Sequence, residues 1–395
     1  MKKEMTKKKK TIRNIIIVVL VVILVPLLIV IGYLLYVILS YHRIGNVELE
    51  VKDGAGNQVL EKEKELSLTS YNVGFGAYSD DYTFFMDTGT DKDGNKTQGE
   101  HGKAISLDAV KKNTQGSLKA IESLSSDFIA LQEVDFDSDR SYHFDQQAYF
   151  EDNLNGYDST FAIDFDSAYL FYPFHDPHGK SKSGLSTLSR YDIKKADRKE
   201  YTIATDFSKY MDLDRCFSVN RMEVDGGKEF VLINSHMSAY DEGGLIRDKQ
   251  MQELYSFMKE EYDKGNYVLT AGDFNHDLLT NNPLYPQYTR ENFPYKNQID
   301  QGIPGWLSFF FDEKGESSFN DGFKVYAADN EPSCRDADVV YQKGSTFVST
   351  LDGFILSDNI KAISVITSKT GENGFAYSDH QPTTLRFMLN KRFPI

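Results

Sequence analysis

The sequence predicts an α/β protein standing behind one membrane-crossing helix. Three observations lead there: an uncharged run of about 25 residues behind a basic N-terminus, a series of short apolar stretches that each break off into polar residues, and apolar residues recurring at spacings of three and four between some of those stretches. A run of that length crosses a bilayer, short apolar stretches bounded by turn residues are buried strands, and three/four spacing marks an amphipathic helix.

Lys2, Lys3, Lys7 to Lys10 and Arg13 face a single acid, Glu4, and Ile15–Leu39 then carries no charge. The run is too long for the apolar region of a signal peptide, and no small-x-small cleavage pattern follows it. Residues 1–14 are therefore expected as a cytoplasmic tail, 15–39 as the single span in the cell membrane, 40–65 as a juxtamembrane segment and 66–395 as an extracytoplasmic domain. The domain is one large unit or two small ones, without an internal repeat or a Pro- or Ser-rich linker. Two cysteines, Cys216 and Cys334, exclude a disulfide scaffold and leave either one bridge or two buried thiols. A net charge of −15 weighs against a broad grip on nucleic acid or anionic lipid, but leaves room for a local basic pocket that takes a phosphate.

The elements follow in order. Val47–Val51 and Val59–Leu60 flank Lys52 to Asn57 as a hairpin near the membrane. Leu66–Asn72 alternates at period two and ends beside Gly74 and Gly76, which sets Asn72 at a strand end. Asp91 to Asn95 has the spacing of half a calcium loop; Gly102 stands where the bidentate Glu belongs, so a solvated turn is the better reading. Leu107, Val110, Leu118, Ile121 and Leu124 mark a helix. It leads to the strand Phe128–Val134, where Glu133 shares a face with Ile129 and Leu131. A carboxylate on so apolar a face is costly unless a cation or donor meets it.

His175 and His178 sit in an aromatic stretch with zinc-like spacing, but Pro177 and Gly179 make it a loop and no Cys or Glu completes a site. Ser183–Arg190 is a strand ending in a guanidinium suited to phosphate. Phe230–His236 is an apolar strand whose last in-phase pair is Asn234 and His236. Arg247, Gln250, Leu254 and Phe257 mark the next helix. Residues 280–340, including Trp306, are expected as long surface loops where substrate choice resides. Phe347–Leu356 with Asp352, and its partner strand Ile360–Ile366, lead to the turn holding Asp379 and His380 before the last strand, Thr383–Leu389. Neighbours such as Asp379 and His380 serve one site only from a loop.

The chain is organised around Val268–Asp277. This apolar run breaks at Gly272 and then presents Asp273 and Asn275 on one face, while Phe274 turns into packing. Turn-forming Gly, Asp and Asn are equally the residues of an Asx turn, so the stretch alone leaves both readings open.

Together, five or six apolar strands end in acids, amides or imidazoles, more than an ordinary core holds without a metal or substrate to satisfy them. In the motifs Ser-Tyr-Asn72-Val, Leu-Gln-Glu133-Val, Ser-Arg190-Tyr, Asn234-Ser-His236, Gly-Asp273-Phe-Asn275, Leu-Asp352-Gly-Phe and Ser-Asp379-His380, the chain from Leu66 to Leu389 resembles the endonuclease/exonuclease/phosphatase superfamily. That group includes DNase I-like nucleases, inositol polyphosphate 5-phosphatases and bacterial sphingomyelinases. The resemblance implies a four-layer sandwich, two mixed β-sheets face to face with helices outside, and an active site at one end. It implies Mg²⁺, with Mn²⁺ as a substitute, held by Glu133 with Asn72 and Asp379. Asp273 would orient or deprotonate water, Asn275 and His236 hold the phosphate, His380 meet the developing charge, and Asp352 fix the His380 ring. Arg190 and Asn234 would contact substrate.

The function so implied is a membrane-anchored phosphodiesterase or phosphomonoesterase. Its substrate would be a phospholipid headgroup, a small phosphodiester or a nucleic acid. The other readings are a DNase I-type nuclease and a non-catalytic binding module on the same fold. The last would be signalled by loss of Glu133, Asp273 or His380, and none is lost. No protein partner is indicated.

Overall fold

The computed structural model describes residues 2–54, 58–90, 94–239, 244–278 and 322–391. Two seven-stranded mixed sheets pack face to face. In the first, the order is Val47–Leu49, Ile193–Glu200, Cys216–Val224, Lys228–His236, Tyr267–Asp273, Asp352–Ser357 and Phe323–Ala327. In the second it is Ile360–Thr367, Thr383–Leu389, Glu65–Asn72, Phe128–Asp135, Lys182–Ser189, Asp158–Asp166 and Val51–Lys52.

Leu66, Leu68, Phe128, Phe230, Leu232 and Leu269 meet between the sheets. Val231, Ile233 and Val268 face the other way, onto Met251, Leu254 and Met258 of the helix Leu245–Asp263. Ile129 and Leu131 likewise pack on Leu118 and Ile121 of the helix Leu107–Leu124. Strands covered on both faces need apolar side chains on both, which is why they read as continuous runs. The result is the expected four layers.

Two crossovers locate the site. Glu65–Asn72 and Phe128–Asp135 are parallel neighbours joined through the helix Leu107–Leu124, and Lys228–His236 and Tyr267–Asp273 are parallel neighbours joined through Leu245–Asp263. Each such unit sends both of its strands toward the same end, so Asn72, Glu133, His236 and Asp273 finish together, where α/β sheets bind ligands. Asp352 enters antiparallel opposite Asp273, and Thr383 opposite Ser70, which brings Asp352 and the preceding turn with His380 to that end as well.

Several expected elements differ. The hairpin over 47–60 does not form: Val47–Leu49 joins the first sheet, Val51–Lys52 the second, and Leu60 bridges Val224. Phe347–Leu356 is split into Val348–Ser349 and Asp352–Ser357, and Ile360–Thr367 belongs to the opposite sheet instead of pairing with it. The chain changes sheet across the single residue Glu50 in the first case and at the turn Asp358-Asn359 in the second, and the period-two pattern of either strand does not register this. Phe323–Ala327 is an edge strand, not loop, while residues 279–321, with Trp306, lie outside the described residues. So do Asp91 to Asp93, whose flanks Thr88–Thr90 and Lys96–Gln98 pair as a hairpin. Cys216 and Cys334 are two free, buried thiols.

A helix spans Lys2–Ser40, and its segment Lys8–Ser40, which contains an 18-residue window with a mean hydropathy of 3.6, is long and apolar enough to cross a membrane.

Candidate active site

Asn72 joins the two sheets at the site. Its Nδ2 donates to Glu133 Oε1 and to Asp273 Oδ2, both at 3.2 Å, while Gly74 N donates to its Oδ1 at 3.0 Å. Gly74 has φ +51°, and a Cβ there would lie 2.9 Å from Asp379 Oδ1, so the turn after Asn72 requires glycine to let Asp379 approach. Gly272 is needed for a different reason: a Cβ would meet Ser235 O at 1.9 Å on the parallel neighbour.

Glu133 does not continue the simple alternation of its strand. The pairing with Lys182–Ser189 shifts register between Leu131 and Val134, and Glu133 takes φ +54° in that bulge. Bulges re-aim side chains beside active sites, and here the carboxylate turns into a cavity of about 640 Å³. Asn275 is also left-handed, at φ +51°, with its N–H donating to Asp273 Oδ1 at 2.8 Å and its Nδ2 to Met237 O at 2.8 Å.

The two histidines are opposites. His380 Nδ1 lies 2.8 Å from Asp352 Oδ2 and its Nε2 3.5 Å from Asp273 Oδ2. Burial pulls its pKa down, but Asp352 above all, with Cys334 and Asp273, outweighs this and lifts it well above the ordinary value, so the ring is an imidazolium. His236 Nε2 is 3.5 Å from the same Asp273 Oδ2 and 3.9 Å from Glu133 Oε1. Burial, aided by Arg215 and His380, pushes its pKa well below the ordinary value, so it stays neutral. Between them Asp273 is pushed up to about 6, by burial first and Asp352 second, against the pull of His380. A carboxylate of that strength flanked by one cationic and one neutral imidazole can exchange a proton near neutral pH.

Glu133 and Asp379 carry hard oxygen donors of the kind a divalent cation of the Mg²⁺ type takes, whereas Asn72 turns Nδ2 toward Glu133 and its Oδ1 accepts from Gly74 N. Asp379 is pushed up to about 6 by burial and by Glu133, a repulsion that a cation between them would relieve. Asp273, Asp352 and His380 also bring donor atoms within 4.8 Å of one another, but a protonated imidazole has no lone pair for a metal.

Two expected site residues lie elsewhere. Lys182–Ser189 runs antiparallel to Phe128–Asp135, with Ser189 opposite Phe128, so Arg190 sits at the far end of the sheet from Glu133. There its Nε donates to Tyr157 Oη at 2.8 Å. Asn234 is fully buried between the sheets, accepting from Gln132 Nε2 at 2.8 Å and donating to Leu131 O and Ser186 O, so it braces the sandwich and does not reach the cavity.

Four residues of the site escaped the sequence reading. Arg140, Arg215 and Arg335 line the cavity. Arg140 is bound to Asp135 at 2.8 Å, and Arg335 Nη2 donates to Ser79 O at 2.9 Å. Asp164 Oδ2 lies 4.0 Å from His236 Nδ1, and among the described residues neither atom has a hydrogen-bond partner. Burial, reinforced by Glu133 against the opposing Arg215, pushes Asp164 up to about 7. For Arg215 the usable signal was its position just before a strand. Arg215 precedes Cys216–Val224, which runs antiparallel to Lys228–His236 and therefore begins at the end where His236 finishes.

Comparison with curated protein sequences finds no match. Among solved structures the fold is similar to truncated Caenorhabditis elegans TDP2 (15% identity, 83% of this chain and 98% of that one, TM-score 0.45). It is also similar to the human Nocturnin catalytic domain with bound sulfate (14%, 87% and 97%, TM-score 0.47) and to ANGEL2, a 2′,3′-cyclic phosphatase (15%, 87% and 99%, TM-score 0.49). The profile of one family matches residues 69–380, from the strand that carries Asn72 through to His380. The chain belongs to the endonuclease/exonuclease/phosphatase family of phosphoesterase hydrolases.

Proposed function

We propose that the chain is a membrane-anchored, extracytoplasmic, Mg²⁺-dependent phosphoesterase, with Mn²⁺ as a substitute, that hydrolyses phosphodiester or phosphomonoester bonds. The observation that carries this is Asp273 Oδ2 lying 3.5 Å from both His236 Nε2 and His380 Nε2, beside Glu133. Water oxygen bonds to phosphorus, one ester P–O bond breaks, and the leaving oxygen departs with a proton. Asp273 orients the water and takes its proton, and His236 and Asn275 hold phosphate oxygens. His380, fixed by Asp352, sets its positive charge toward the pentacoordinate transition state. Glu133 and Asp379, with Asn72 beside them, would hold a divalent cation, which would supply charge neutralisation to the phosphate.

The uncharged run behind a Lys-rich start supports a single-pass anchor with its N-terminus in the cytoplasm. Two measurements test the reading. The purified full-length chain should hydrolyse bis-p-nitrophenyl phosphate with Mg²⁺ and stop in EDTA, and undiminished turnover in EDTA would overturn the metal role. Protease added to intact cells should remove the domain and leave a short membrane-bound stub, and protection until lysis would overturn the topology.

A further inference from the structure

We infer that the cavity takes its phosphoester from a phospholipid of the leaflet that holds the chain's own apolar helix, with the aromatic rim of the cavity seated among the headgroups. The inference rests on the phosphoesterase reading and names its substrate class.

The argument starts from length. At 1.5 Å per residue, Ile15–Leu39 makes about 37 Å of helix, whereas a hydrocarbon core is about 30 Å thick and is crossed by about 20 residues. Counted from Ile15, the helix leaves the hydrocarbon near Leu34. Tyr33 and Tyr36 therefore fall in the interfacial layer, where aromatic belts gather. The same two tyrosines fasten the domain. Tyr33 Oη donates to Tyr169 O at 3.0 Å and accepts from Phe171 N at 3.2 Å, and Tyr36 Oη accepts from Tyr169 N at 3.1 Å. The Tyr33 and Phe171 rings meet edge-on with centroids 5.3 Å apart, and Val37 is buried. The segment Tyr169–Phe174 is thereby held at the depth of Tyr33.

That segment presents Phe171, Tyr172 and Phe174 at 49%, 54% and 83% exposure. Adjacent large aromatics left in water are unfavourable, and in the interfacial layer they are in their preferred solvent. Tyr33, Phe171, Tyr172 and Phe174 also line the cavity whose other end holds Glu133, His236, Asp273 and His380. One continuous space thus runs from an apolar rim at headgroup depth to a floor that handles phosphate, which matches the order of groups along a phospholipid. The floor carries a further cation for the phosphate. Arg215 is buried, lines the cavity, and among the described residues its Nε and Nη1 have no hydrogen-bond partner. A buried guanidinium with donors left over is completed by an anion.

Water attacks the lipid phosphorus and one P–O ester bond breaks; the products are a phosphomonoester and an alcohol, with the proton on the alcohol. The test uses the full-length chain with Mg²⁺ in proteoliposomes of phosphatidylcholine, phosphatidylglycerol, cardiolipin and sphingomyelin. Lipid and released products are read by mass spectrometry. An oligonucleotide and bis-p-nitrophenyl phosphate are added to parallel samples. Lipid turnover should exceed oligonucleotide turnover at least tenfold. Phe171→Ser/Phe174→Ser should lower lipid turnover at least tenfold more than it lowers turnover of the soluble diester, whose hydrolysis also reports that the variant is folded. Independently of activity, Phe174→Trp should give fluorescence quenched by brominated lipid beyond that of the parent chain, which carries only Trp306. Oligonucleotide cleavage without lipid turnover, equal losses on both substrates, or an unquenched Trp at 174 would overturn the inference and leave the phosphoesterase reading standing. Absence of turnover on every phosphoester would overturn that reading itself.

Discussion

Replacing Asp352 with Asn isolates the charge behind His380 while keeping its shape. Asp352 is fully buried, its N–H donates to Ser333 Oγ at 3.0 Å, and its Oδ2 takes the 2.8 Å contact with His380 Nδ1. The amide fills the same space, so packing is retained and the lost quantity is the charge-assisted bond. Such bonds contribute about 1.5–3 kcal/mol. With the carboxylate gone, the largest of the groups that raise the His380 pKa is removed and burial favours the neutral ring, so the positive charge facing the phosphate is weakened. Since charge on the phosphate grows toward the transition state, the loss should fall on kcat with little change in KM, at roughly 10–100-fold. Steady-state kinetics of Asp352→Asn, His380→Ala and the double variant on bis-p-nitrophenyl phosphate provide the assay. Residues acting as one unit are non-additive, so the double variant should be little worse than His380→Ala. Losses that multiply, or an Asp352→Asn enzyme with wild-type kcat, would refute the coupling.

Glu133→Gln keeps size and removes the charge toward a cation, so activity should drop by about 100-fold or more with unchanged circular dichroism, and Mg²⁺ titration calorimetry should register weaker binding. Arg190→Ala, at the opposite end of the sheet, should leave kcat/KM within about twofold, since phosphate contacts act only within reach of the substrate; a tenfold loss would return it to the site. Asn234→Ala removes the acceptor of Gln132 Nε2 at 2.8 Å and the donor to two backbone carbonyls between the sheets, and leaves a cavity there, so it should lower the unfolding free energy by about 2–4 kcal/mol in urea titrations. A stable variant that had lost activity would contradict the bracing role. Glu261, bound by Arg221, Lys264 and Asn266, is held down to about 2 from 4.5 because these partners outweigh its burial. Its folded pKa lies below its unfolded one, so its stabilisation is present above about pH 4.5 and fades as pH falls toward 2. The difference in thermal midpoint between the parent and Glu261→Gln should therefore shrink on acidification, and a constant difference would contradict it.

The sequence by itself marked the strands that carry the site and most of the strand ends that hold chemistry. Buried strands need apolar side chains on both faces, so Phe230–His236 and Val268–Asp277 stand out, and polar groups such as Glu133 and Asp273 at their limits are costly enough to signal a site. Asp379 beside His380 could be assigned to a loop because neighbours on a strand diverge. Only the tertiary structure decided which ends meet. Alternation tells which face a side chain takes, but the direction of a strand in its sheet comes from its partners; that direction sends Arg190 away and brings Arg215 in. The same holds for Asn234, correctly in phase with His236 yet closed off by the facing sheet through Gln132. The bulge that turns Glu133 inward and the seating of Tyr33 in the cavity wall also arise from contacts between segments far apart in the chain. No local period records such contacts, because each becomes favourable only once the other segment is in place.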